Sequence, residues 1–215
     1  MNYIADRRLE EKDRRRQEIV DAAEAVAGRE GIDALTMDQV ARRARISRAL
    51  LYVYFHDKTE LLLGLCERGL GVLAARFEEA AARQRSGLER IGAIGRAYVA
   101  FSQEFPVYFD ALARFQAQQS EPGPGTAGAA ACTTAGRRVH AIMLAAIESG
   151  QRDGSIDPAA GTPVTIAMTL WGFMHGIIQL TATQGAVLAG YGLTARALGE
   201  QALQLAARAL TASGT

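Results

Sequence analysis

Between residues 42 and 58 the chain sets Arg42, Arg43, Arg45, Arg48 and Lys58 against one acidic residue, Asp57. Cations at that density suit the phosphates of a nucleic acid, whose condensed counterions they displace. The plainer reading is a solvated helical face, and charge alone does not separate the two. Other chemistries find less support. Cys66 and Cys132 are the only cysteines, with no CxxC spacing and no Cys/His pattern for zinc. Cys66 falls on an apolar stripe and reads as a core thiol, whereas Cys132, close to a loop, is the better candidate for redox sensing. His56, His140 and His175 lack metal-ligand spacing, no nucleophile stands with a base, and no carboxylates are paired, so no enzyme activity, metal or cofactor is expected. Residues 123–128 spell a GxGxxG run. That fingerprint works only between a strand and a helix, and FQAQQSEP before it is no strand.

The elements that must carry the basic cluster are helical. Ile19, Ala22, Ala23 and Val26 recur at helical spacing before a stop at Gly31. Thr36 with Gln39 forms a capping box that opens a short second helix through Val40, Ala41 and Ala44. Ser47 caps a third, SRALLYVYF, with Leu51, Tyr54 and Phe55 on one face and Ser47, Arg48, Ala49, Tyr52 and Val53 on the other. Two short helices joined by a tight turn, the second with a polar and aromatic outer face, have the geometry of a helix-turn-helix whose second helix enters a DNA major groove. Asp57 with Glu60 starts a long fourth helix toward Arg83.

Beyond Ser86 the pattern stays helical. Tyr98, Phe101, Phe105, Tyr108, Phe109 and Phe115 crowd one stretch that Pro106 divides between two helices. Residues 120–128 are a loop on Gly/Pro content, and a helix then runs through Val139, Ile142, Met143, Ala146 and Ile147 to a stop at Gly150. Thr194 caps a final helix with Leu198, Ala202, Leu205, Ala206 and Ala209 on one stripe. No segment alternates with period two, so the expected class is all-α.

The 215 residues are 49% hydrophobic, and 24 Lys and Arg balance 23 Asp and Glu, so any attraction to nucleic acid must be local. The charged N-terminus lacks the apolar stretch of a secretory signal, and two unpaired cysteines fit a reducing cytoplasm. Residues 158–195 hold no charged side chain, and 164–182 are long enough to test as a membrane span. Thr165, Thr169, His175, Gln179 and Thr181 interrupt that run and no Lys/Arg cluster flanks it, which favours a helix buried in a core or an oligomer interface. Gly172 and Gly176, spaced GxxxG, permit close approach of another helix. The residues before Arg14 allow two readings, an arm reaching the minor groove or a solvated helix with i,i+4 ion pairs, and the acidic residues among them favour the helix.

Residues 36–62, TMDQVARRARISRALLYVYFHDKTELL, resemble the helix-turn-helix signature of TetR-type transcriptional regulators, and IVDAAEAVAGREGIDALT before them resembles that family's first helix. The resemblance is specific over residues 16–63 and architectural beyond. It implies an all-α fold with a three-helix DNA-binding domain over residues 1–57, of which 1–14 are an extension, joined to an effector-binding and dimerisation bundle over 58–215. It implies a homodimer in which the last two helices form a four-helix bundle, with Gly172, Gly176, Leu198 and Leu205 at the interface. The expected partners are a palindromic double-stranded DNA operator and a small effector, and no membrane.

By position, the resemblance gives Thr36 and Lys58 to phosphates, Ser47, Arg48, Ala49 and Leu50 to base edges, and Tyr52 to a phosphate. Three positions depart from the family pattern. Arg45, also expected on the DNA face, stands where a turn glycine is usual, which forces either a positive φ or a different turn. Leu50 replaces a small polar residue, and Ala27 replaces a phenylalanine. The resemblance also implies an effector cavity lined by Tyr98, Phe101, Phe105, Tyr108, Phe109, His140, Trp171 and His175, with Arg114 a further polar anchor, for an aromatic or amphipathic ligand. The expected function is a repressor released by that ligand. The alternative is a helical ligand-binding module without specific DNA recognition.

Overall fold

The structure, a computed structural model, describes residues 3–118 and 126–211. Ten α-helices run in chain order: α1 Tyr3–Glu30, α2 Met37–Ala44, α3 Arg48–Tyr54, α4 Lys58–Ala82, α5 Gly87–Glu104, α6 Pro106–Gln118, α7 Ala127–Asp153, α8 Pro163–Thr183, α9 Gly185–Gly190 and α10 Ala195–Leu210. No strand occurs among the described residues. The GxGxxG run lies largely outside them.

The chain packs as two compact units. One unit combines residues 1–70 with 105–134, and the other combines 71–104 with 135–215. Helices α4 and α7 each contribute to both.

In the first unit α1 buries Ile19, Val20, Ala22, Ala23, Val26 and Ala27 and ends at Gly31, whose φ of +84° only glycine adopts without strain. The capping box forms: the Gln39 N–H donates to Thr36 Oγ1 at 3.3 Å, and the Thr36 N–H to Gln39 Oε1 at 2.8 Å. Ser47 Oγ accepts the Leu50 N–H at 3.1 Å, and Asp57 Oδ1 accepts that of Glu60 at 2.8 Å. Along α1, Arg14 sits between Glu11 and Glu18 at 2.5 and 2.6 Å, so the extension is a helix laced with ion pairs.

Close approaches set the packing of α4. A Cβ on Gly64 would lie 3.1 Å from the Phe55 ring and 3.3 Å from Val20, and one on Gly69 would lie 2.8 Å from Tyr108 Cβ on α6.

In the second unit the N-terminus of α5 is held from a distance in sequence: Gly87 N–H donates to Asp153 Oδ2 at 2.9 Å and Leu88 N–H to Ser155 Oγ at 3.1 Å. The expected stop at Gly150 does not occur. Helix α7 continues to Asp153, because Gly150 is needed inside it to let Gly87 and the Ile156 side chain approach, and Gly154, at φ +77°, supplies the turn instead. The loop expected through Gly128 also ends earlier, at Ala127. The uncharged helix could open at Asp157-Pro158 or at Thr162-Pro163, since Pro fits the first helical position; Asp157 caps only a 3-10 turn, Pro158–Ala160, and Thr162 caps α8. The uncharged run therefore forms one long helix followed by the short α9. The Asp157 N–H donates to the Leu210 carbonyl at 2.8 Å, which ties the end of α10 to this corner.

Two glycines of α5 separate close packing from helix propensity. A Cβ on Gly87 would fall within the Gly150 backbone, whereas one on Gly92 meets only the tip of Arg96 at 3.5 Å. Gly87→Ala is expected to destabilise the protein by about 1–3 kcal/mol, and Gly92→Ala to stabilise it by about 0.5–1 kcal/mol, in chemical denaturation.

Candidate functional sites: a basic helix-turn-helix face and an aromatic–histidine cluster

Helix α3 is held by one side and leaves the other open. Leu51 and Phe55 are buried, Arg16 lies over the Phe55 ring at 5.2 Å and reaches Glu67 at 3.1 Å, and Gly64 provides the space beneath. The outer face presents Ser47, Arg48, Ala49, Leu50, Tyr52 and Val53, all exposed, with Val53 the most open at 73%. Arg42, Arg43 and Arg45 are exposed beside it at the end of α2.

The turn between the two helices resolves the first departure. Arg45 is in the left-handed region, at φ 56° and ψ 43°, and is the one non-glycine residue there among those described. Its N–H donates to the Ala41 and Arg42 carbonyls, and the Ile46 N–H to the Ala41 carbonyl at 3.0 Å, so the usual αL turn is kept at a cost of about 1–2 kcal/mol.

Two of the expected DNA-facing cations have partners that sequence spacing does not suggest. Arg48 Nε lies 2.7 Å from Asp38 Oδ1, which pins α3 to α2, and Lys58 Nζ donates to the Asp33 carbonyl at 2.7 Å. Arg114, expected as a ligand anchor, instead pairs with the Asp33 carboxylate at 2.7 Å. Thr36 is exposed at the start of α2.

The aromatic and histidine residues expected around an effector divide between the units. Phe105, Tyr108 and Phe109 belong to the first, where Tyr108 Oη donates to Glu24 Oε2 at 2.5 Å. Burial and that bond push the Tyr108 hydroxyl up to about 12. Tyr98, Phe101, His140, Trp171 and His175 belong to the second. There Tyr98 Oη and His175 Nδ1 share a hydrogen bond of 2.9 Å, and Trp171 stands between His140 and His175 with ring centroids 6.0 and 6.1 Å away. Phe77, which its place on the α4 stripe did not single out, closes edge-on against Tyr98 at 6.2 Å. Burial raises the Tyr98 hydroxyl to about 12 and lowers both His140 and His175 below the ordinary 6.5, so at neutral pH the cluster is uncharged but keeps polar atoms on its rings.

The positions expected at a dimer interface lie mostly on open surface. Gly172 and Gly176 are exposed with nothing within 4 Å of a notional Cβ, Leu205 is exposed and Leu198 is half-buried. Val164, Met168, Phe173 and Leu180 are also exposed on α8. The helix is long and apolar enough to cross a membrane, and only 22% of its most apolar stretch is buried within the protomer.

Comparison with known proteins matches both parts of the chain. Residues 19–65 match the family model described as bacterial regulatory proteins, tetR family, and residues 91–204 match that of the tetracyclin repressor-like C-terminal domain. The HTH-type transcriptional regulator BetI of Rhizobium meliloti is 38% identical over 112 residues, 50% of this chain but only 54% of that relative's length. BetI of Brucella anthropi is 32% identical over 155 residues, covering 70% of this chain and 77% of the relative. A solved structure of a protein of unknown function from Rhodococcus sp. RHA1 superposes with a TM-score of 0.75 at 26% identity, covering 92% of this chain and 95% of that one.

The two lowered histidines carry a signed pH dependence. Between their folded values and the ordinary 6.5 the unfolded chain binds more protons than the folded one, so stability falls as pH is lowered through that window. The melting temperature is expected to drop from pH 8 to pH 5, and the double variant His140→Asn, His175→Asn to show a flatter profile in thermal denaturation followed by circular dichroism.

Proposed function

The chain belongs to the tetR family of bacterial regulatory proteins, and from that premise we propose that it is a dimeric repressor, released from a palindromic operator by a small apolar or aromatic effector. The observation that carries the DNA half is the exposed face of α3 and the αL turn that aims it. Arg42, Arg43 and Arg45 supply attraction to phosphates, Thr36 and Lys58 sit at helix N-termini where phosphates are favoured, and Ser47, Arg48, Ala49 and Leu50 approach base edges. Leu50 offers apolar contact to a thymine methyl in place of a hydrogen bond.

Two protomers joined through α8 and α10 would cover the apolar face that each leaves open, and would set two α3 helices about one DNA turn apart. The effector is expected at Tyr98, Phe101, His140, Trp171 and His175, where rings supply area and neutral nitrogens and a phenol supply direction. Helices α4 and α7 contribute to both units, so an effector that favours one arrangement of those helices changes the spacing of the α3 pair and weakens operator binding.

Selection from random duplex DNA followed by footprinting is expected to yield an inverted repeat, bound with a steep loss of affinity as salt rises. Lys58→Ala should weaken all sequences alike, whereas Arg48→Ala and Leu50→Ala should relax preference at particular positions by about 1–3 kcal/mol. Absence of enrichment even at low salt would reject DNA recognition and leave the ligand-binding module.

The interface has a separate test. Because a side chain at Gly172 or Gly176 meets nothing within the protomer, the double variant Gly172→Leu, Gly176→Leu should stay helical but sediment as a monomer. A dimer of unchanged stability would place the interface elsewhere.

A further inference from the structure

We propose that Cys66 and Cys132 are a reactive pair, which a hydroperoxide converts to an intrachain disulfide tying α4 to α7. Both are free thiols in the core of the first unit. Cys132 Sγ donates to the Leu63 carbonyl at 3.2 Å. Leu63 precedes Cys66 by three residues on α4, so Cys132 rests on the helical turn that carries Cys66. One turn earlier on α7, a Cβ on Gly128 would lie 3.2 Å from the Leu63 side chain. A glycine and a cysteine spaced i,i+4 thus let α7 rest directly on the Leu63–Cys66 turn.

The two thiols also set each other's ionisation. The hydrogen bond with Cys132, and after it burial, holds the Cys66 thiol well above its ordinary range, and the same bond lowers that of Cys132. Cys132 lies five residues from the exposed start of α7, so it is assigned as the thiol that meets the oxidant first and Cys66, inside α4, as the resolving thiol.

The Cys132 thiolate attacks one peroxide oxygen; an S–O bond forms, the O–O bond breaks, and the departing oxygen leaves as an alcohol after taking a proton. Cys66 sulfur then attacks the sulfenic sulfur; the S–S bond forms, the S–OH bond breaks and water departs. Two thiols lose two electrons and two protons, and the peroxide receives both. Cys132 lies near the start of α7, where Thr126 and Ala127 are exposed, so fraying of the first turns admits a small neutral peroxide.

The test treats the reduced full-length chain with hydrogen peroxide, then alkylates under denaturing conditions. Expected are a mass loss of two hydrogens, two thiols refractory to alkylation, and a Cys66–Cys132 linked peptide in the non-reducing digest, all reversed by dithiothreitol. In Cys66→Ala, Cys132 should accumulate a dimedone-trappable sulfenic acid, and in Cys132→Ala the oxidation of Cys66 should be at least about tenfold slower. Two alkylatable thiols after treatment, a crosslink between chains, or equal oxidation rates in the two variants would overturn the proposal. The wild-type mass and peptide readouts stand even if a variant fails to fold.

Discussion

The exposed face of α3 can be offered to a partner only because its other face is immobilised by a methyl-sized gap. Gly64 on α4 leaves the space that the Phe55 ring and Val20 fill, and the ring is closed from the far side by the Arg16 guanidinium, itself held by Glu67. Leu51, one turn back, is fully buried. A helix of seven residues has little stability of its own, so its orientation comes from this seat and from its two ends: the Ser47 cap and the strained but fully hydrogen-bonded turn at Arg45. The positive φ at Arg45 shows how firmly the surroundings impose the turn, since a side chain that disfavours it is carried there nonetheless.

What could be read in the sequence was what short-range physics decides. The caps at Thr36, Ser47, Asp57 and Thr194, the stop at Gly31 and the awkward turn at Arg45 all rest on residues within a few positions of one another. The misplaced helix end at Gly150 shows the limit. A glycine there is a stop by local propensity, but its purpose is to receive Gly87, 63 positions earlier, and no window contains both. Comparable distances hid Asp153 and Ser155 as caps of α5 and the approach of α7 to the turn that carries Cys66, while Asp38 and Arg48, ten positions apart, meet only because α2 and α3 fold together. The aromatic stretch around Pro106 looked like one feature because it is continuous in the chain. Packing assigns its two halves to different units, with Tyr108 joined to Glu24 and Tyr98 to His175.

The second unit solves its packing with small residues on one side of its helices and leaves apolar ones on the other. Gly95 admits Leu203 of α10, and Ile166, Ala167, Met174 and Ile178 turn inward from α8, while Met168, Phe173 and Leu180 remain outside. An uncharged helix with this much apolar area open to water is the surface that the proposed interface between two copies would cover.

The ion pair between Arg48 and Asp38 bears on discrimination rather than attraction. A guanidinium already satisfied by a carboxylate 2.7 Å away adds little net charge to any long-range attraction toward a duplex. If Arg48 approaches a base edge as proposed, it would leave Asp38 only where the exchange breaks even, which the two acceptors of a guanine edge suit best. On that reading Asp38 would serve as an internal competitor, a threshold each base pair must exceed, and selectivity at that position would depend on what the arginine gives up as much as on what it gains.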